Sequence, residues 1–180
     1  MTRLRLFFLV AALAAPLSAR AQAEATGTAA ARVVRPIAVR QLADLDFGLI
    51  TASSAQSGSV TIVPGAQAAR YSGSAQAACL AASGCAASHS ASFEVTGEAN
   101  RAYTISAPAS VVIGAGRLET SALRVGEISV RSASRPDDGP AGRLDQSGRD
   151  SFELGGTLHL QGPLPAAHYR VSIAVIVTYS

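Results

Sequence analysis

The sequence predicts an all-β antiparallel sandwich, and three observations carry that expectation. Residues 169–180 alternate strictly, with Tyr169, Val171, Ile173, Val175, Val177 and Tyr179 on one face and Arg170, Ser172, Ala174, Ile176, Thr178 and Ser180 on the other. Such alternation is that of a half-buried strand, and at ~3.3 Å per residue it spans roughly 40 Å. Upstream, roughly nine or ten short apolar stretches recur with Gly, Pro, Ser or Asn turn chemistry between them, the spacing of a sandwich. Beyond the first residues, no stretch carries a convincing helical pattern.

The elements follow in order. Arg3 and Arg5 precede an apolar run that Pro16 breaks, and Ala21-Gln22-Ala23 supplies small residues for cleavage. Residues 1–23 therefore read as a secretory signal peptide, too short to span the ~30 Å of a bilayer core. Residues 24–34 form an arm rich in Ala, Thr and Gly, with little to bury. Residues 33–40 carry β-branched side chains around Pro36, which lacks a ladder donor, so they are an edge strand or a strand that breaks there. In residues 44–50, Leu45 and Phe47 are expected to face in, Asp44 and Asp46 out, with a bend or bulge at Gly48.

A turn at 53–58 leads to a strand over 59–63, ended by Pro64-Gly65, and 69–72 offers another short strand. Residues 76–90 surround Cys79 and Cys85, and in an exported chain this close pair around a Gly-containing turn reads as a disulfide. The chain-entropy model assigns so small a loop about 2.4 kcal/mol, which pins a local turn rather than the whole fold. Residues 91–96 form a strand with Phe93 and Val95 inward, and 101–107 another with Tyr103 and Ile105 on one face. Val111 to Ile113 is short. Across 123–130 the apolar face switches from Leu123 and Val125 to Ile128 and Val130, which predicts a bulge at Gly126. Residues 134–148, with Pro, Gly, paired Asp and several Arg, are expected to be a long surface loop. Residues 151–154 lead through Gly155-Gly156 to a strand with Leu158 and Leu160 inward. Residues 162–167 turn the chain into the last strand.

All fifteen basic residues are Arg, and three of them lie in the signal segment, which leaves twelve against twelve acidic residues. The basic balance of the full chain thus gives no reason to expect nucleic acid or an anionic membrane as partner. The mature chain is expected to carry no membrane span, and its length suits one domain over 35–180.

Chemistry-bearing patterns are sparse. There is no Gly-x-Ser-x-Gly elbow, and His89, His159 and His168 are scattered, so no catalysis is expected. His159 alternates with Leu158 and Leu160 and reads as a solvated strand residue. Asp44 and Asp46 lack the further ligands of a calcium loop, and Asp137-Asp138-Gly139 with Asp145 reads as a polar turn, leaving no expected metal or cofactor. Gly114-Ala115-Gly116 is no phosphate loop, because neither helix nor Lys follows.

Four motifs together resemble a family of exported bacterial proteins, the domain of unknown function 4402. They are Asp46-Phe47-Gly48; Phe93-Glu94-Val95-Thr96-Gly97 followed by Tyr103-Thr104-Ile105; Phe152-Glu153-Leu154-Gly155-Gly156-Thr157-Leu158; and the alternating strand ending at Tyr179. Two departures stand out: Ala167-His168-Tyr169 replaces a usual Gly-x-Tyr, and the Cys79–Cys85 segment is an addition. The pattern is also similar to pilin subunits of the spore coat protein U type. That similarity implies an immunoglobulin-like, pilin-like sandwich, exported to the periplasm or cell surface.

It also implies a fimbrial subunit joined by donor-strand complementation, in which a neighbour's extended segment completes the sandwich. The acceptor would be the strand of Tyr169, Val171, Ile173, Val175, Val177 and Tyr179. The donor would be the arm, through Ala25, Gly27, Ala29, Ala31 and Val33. The partners would be further copies of the chain, with a periplasmic chaperone and an usher. The alternative is a self-contained periplasmic or secreted sandwich that binds an unknown ligand.

Overall fold

A computed structural model describes residues 33–53, 56–79, 84, 87–113 and 123–180. The signal segment, the arm through residue 32, Cys85 and residues 114–116 lie outside the described residues. The chain divides into Met1–Val33 and Val34–Ser180. Of the first unit only Val33 is described, and everything below concerns the second.

Thirteen strands and no helix are found among the described residues. In chain order they are β1 (Ala38–Ala43), β2 (Leu45–Ala52), β3 (Gly58–Ile62), β4 (Arg70–Gly73), β5 (Ala75–Ala77), β6 (Ala91–Thr96), β7 (Ala102–Ser106), β8 (Val111–Ile113), β9 (Leu123–Ser132), β10 (Ala141–Arg143), β11 (Arg149–Leu160), β12 (Leu164–Val171) and β13 (Ile176–Tyr179). Every pairing is antiparallel. The fold is an all-β sandwich.

The twelve-residue strand β11 organises the larger sheet. The sequence suggests two pieces parted by Gly155-Gly156, yet the strand runs straight through them. One edge pairs with β9. The other pairs with β6 over Arg149–Leu154 and then with β3 over Gly156–Leu160. Gly155 sits where the partner changes. A Cβ there would overlap the Ile62 carbonyl and stand 2.6 Å from Pro64 Cδ, so only glycine lets the end of β3 come so close. β1 and β4 are the outer strands of this path, and β8 extends β9.

Between the sheets lies one core that includes Leu45, Phe47, Ile50, Val60, Val95, Tyr103, Leu154, Leu158 and Ile173. Phe93 and Phe152 are direct cross-strand partners, and their rings stack at 4.8 Å and 7°. A facing pair of this kind adds to the area it buries. Tyr103 is buried, and its hydroxyl donates to Asp150 Oδ2 at 2.8 Å. Burial, with that carboxylate beside it, pushes the Tyr103 phenol well above its usual range, so it stays a donor.

Several local expectations change. The proposed loop at 134–148 contains β10, which pairs with β7. Of the turn expected at 162–167, Gly162 turns the chain at φ 76°, and 164–167 already belong to β12. The switch near Gly126 is a bulge in which the register shifts opposite Gly155 and Thr157, with Glu127 at φ 51°. Asp46 shares the face of its cross-strand partner Arg170, as expected of an outward position, yet it is only 1 % exposed. Gly48, at φ 82°, makes a bulge in β2 opposite Tyr169 and Arg170. Leu45, Asp46, Phe47 and Gly48 are all buried, Leu45 and Phe47 in the core and Asp46 on the other face against His168 and Arg170.

Candidate functional site

The last stretch of chain is the candidate site. Its inward face is continuous, but it is two strands. β12 pairs with β2, β13 pairs with β7, and residues 172–175 carry no ladder partner among the described residues. Val171 and Ile173 are buried, whereas Tyr169, Val175, Val177 and Tyr179 are half-buried although they face the same way.

β13 is the outer strand of its sheet. Ser180 donates its N–H to the Ala102 carbonyl at 3.1 Å. By the two-residue repeat of an antiparallel ladder, Ile176 and Thr178 also direct their backbone groups to β7, and Val177 and Tyr179 direct theirs outward. That outward edge has no strand beside it among the described residues. Outward-facing Ile176 is 66 % exposed.

The opposite wall is β1. The first strands run antiparallel to the last ones: Ala52 faces Leu164, Leu45 faces Val171, Gln41 meets Ser172 and Arg35 meets Tyr179. β2 stays paired with β12. β1 leaves it at Asp44 and joins β6 in the other sheet, with a register shift between Gln41 and Ala43. Of residues 33–40, only 38–40 pair with β6, as part of an edge strand that begins beyond Pro36. The divergence opens a seam between β1 and residues 172–179. Ile37 and Val39 stand on its β1 side, with Val39 38 % exposed. At the fork lies a cleft of about 460 Å³ lined by Gln41, Leu42, Ala43, Asp44, His89 and Arg170.

Side chains bridge the seam at both ends. Tyr179 accepts a bond from the Glu98 N–H and donates to the Arg35 carbonyl, both at 2.7 Å. The Arg101 guanidinium lies 5.1 Å from the centre of its ring. Tyr179→Phe is expected to cost about 1–2 kcal/mol, because the Glu98 N–H loses its acceptor, and a urea titration reads that directly. At the fork, Ser172 donates to Gln41 Oε1 at 3.2 Å.

Next to the fork, Asp46 fastens β2 to β12. Its Oδ2 accepts from Arg170 Nε at 3.1 Å and from the terminal nitrogen at 3.0 Å. Its Oδ1 accepts from the Gly48 N–H at 2.8 Å and stands 2.9 Å from His168 Nε2. Its backbone exchanges hydrogen bonds with His89. A buried carboxylate is tolerable only with such a complete set of donors. Asp46, Gln41, His168 and Arg170 are the residues that strand alternation missed. The signal was the lone acid between Leu45 and Phe47 just before a glycine.

Of the candidate donor residues, Ala25, Gly27, Ala29 and Ala31 lie outside the described residues, and Val33 is 94 % exposed. Cys79 follows β5, where Ala78 N–H bonds the Leu49 carbonyl. No cysteine among the described residues is free. Asp138 pairs with Arg135 at 3.5 Å, and no cluster of metal-ligating side chains is found among the described residues. No described helix is long and apolar enough to cross a membrane.

The family model for a domain of unknown function, DUF4402, matches residues 37–179, from the residue before β1 to the end of β13. The chain is a DUF4402 protein. No curated protein and no solved structure matches it. The match takes in both walls of the seam, so the diverging first strand and the outer last strand lie within this DUF4402 domain.

Proposed function

We propose that this DUF4402 protein is an exported structural subunit of a fimbrial or pilus-like surface fibre, assembled by donor-strand complementation. One observation carries the reading: among the described residues the last strand has an unpaired outer edge, above inward-facing apolar side chains that are only half covered. An extended segment from a second copy, residues 24–34, would pair with that edge and cover Val175, Val177 and Tyr179. Full burial of one such side chain is worth ~1.5–3 kcal/mol, and ladder bonds to the edge together with the arm's own buried side chains would have to add to it, because ordering the arm costs ~1–2 kcal/mol per residue. An exposed edge of this kind also invites unwanted pairing. A periplasmic chaperone that covers it before assembly, and an usher that receives the subunit, fit that need. The reading assigns no catalysis.

The test is the assembly state of the chain exported to an oxidising periplasm, with and without residues 24–34. Unheated detergent gels of the full chain are expected to show a ladder of multimers that the truncation abolishes. Two equally stable monomers would reject the fibre and favour a self-contained binding module.

A further inference from the structure

The seam is bridged in the single chain, and its two ends are unequal. At one end the Tyr179 hydroxyl is held by two backbone groups, Glu98 N–H and the Arg35 carbonyl. At the other end one exposed bond of 3.2 Å, from Ser172 to Gln41, is the hydrogen bond found between the walls among the described residues. Gln41 is itself oriented by its neighbours. Its Nε2 donates to Asp44 Oδ1 at 2.8 Å and to the Ala43 carbonyl at 3.4 Å, which turns Oε1 toward Ser172. The segment it holds, residues 172–175, has no ladder partner among the described residues, and buried Ile173 is its inward anchor. β1 is irregular at the same point, where its register slips between Gln41 and Ala43 and Leu42 is 53 % exposed.

A strand added beside the last one needs ~4.8 Å of spacing from it. Bridges that tie the last strand to β1 must therefore yield before the strand can seat. We infer that Gln41 is the gate of this seam: its bond to Ser172 holds the free subunit shut at the fork, and its release is the first step of strand uptake. The inference rests on the fibre reading, and it adds where uptake begins and which contact restrains it. Entry starts at the weaker end, beside the cleft of Gln41, Asp44, His89 and Arg170. The Tyr179 end stays closed until later.

Ser172→Ala in the full exported chain removes the bridge and leaves Gln41 and Asp44 bonded to each other. Multimers are expected to form roughly two- to ten-fold faster, the range of one neutral hydrogen bond. Nitrogen-15 relaxation on the monomer is expected to show lower backbone order at 172–175. Gln41→Glu sets a carboxylate against Asp44 and is expected to speed assembly at least as much. A ladder that forms at the wild-type rate, or more slowly, in both variants overturns the gate while leaving the fibre reading in place. A ladder absent from every form, wild type included, overturns both.

Discussion

Arg170→Ala is expected to destabilise the domain by about 2–3 kcal/mol, read as a lower urea midpoint and a melting temperature down by about 5–10 °C. The cost resides in the partner rather than in the arginine. Arg170 is half exposed and returns to water easily, so its own charge matters little. Asp46 is 1 % exposed and cannot follow it. The substitution strips Oδ2 of the two guanidinium bonds at 3.0 and 3.1 Å. The Gly48 N–H and His168 still serve Oδ1, which holds the loss below that of a fully orphaned buried charge. Arg170→Lys restores the charge without the two-point contact and should fall between wild type and alanine. A loss under ~0.5 kcal/mol for Arg170→Ala would mean that water reaches Oδ2, and that Asp46 does not fasten β2 to β12.

Gly155→Ala is expected to cost about 3 kcal/mol, the upper part of the range for overpacking. The new methyl would meet the Ile62 carbonyl and Pro64 Cδ, and neither can rotate away. To make room, β3 would have to separate from β11 where it takes over from β6. The pairs from Gly156↔Ile62 to Leu160↔Gly58 would then be the first to loosen. Hydrogen exchange should show that end of β11 opening ahead of Arg149–Leu154. Gly139→Ala is the control: its φ is 59° but nothing lies within 4 Å of the added Cβ. It should therefore cost only the ~1 kcal/mol of a left-handed backbone. Equal losses at the two sites would locate the penalty in backbone conformation and remove the steric account of the partner change.

Much of the sandwich was legible because the signal is local. Alternation in residues 91–96 and 101–106 places Phe93, Val95, Tyr103 and Ile105 inside, and all four are buried. Turn chemistry marks Gly48 and the bulge beside Gly126. Strand partners are another matter, since pairing joins residues far apart in the chain. Periodicity shows that residues 169–179 present one apolar face. It holds nothing to say that β12 pairs with β2, that β13 pairs with β7, or that 172–175 between them carries no ladder partner among the described residues.

Asp46 shows the same limit in one residue. A period of two sends it to the face of Arg170, where it lies, and only the cross-strand partners Arg170 and His168, which no local pattern names, bury it there. The sequence by itself determined that the DUF4402 domain is built of strands, as its described residues are, and which face of most of them is apolar, because side-chain direction repeats every two residues. Tertiary structure alone decided where the first strand abandons the last. That divergence depends on β1 finding β6 in the opposite sheet, a contact between segments some fifty residues apart, as in Arg40↔Glu94. The seam, its Tyr179 and Gln41 bridges and the edge left unpaired among the described residues all follow from that one departure.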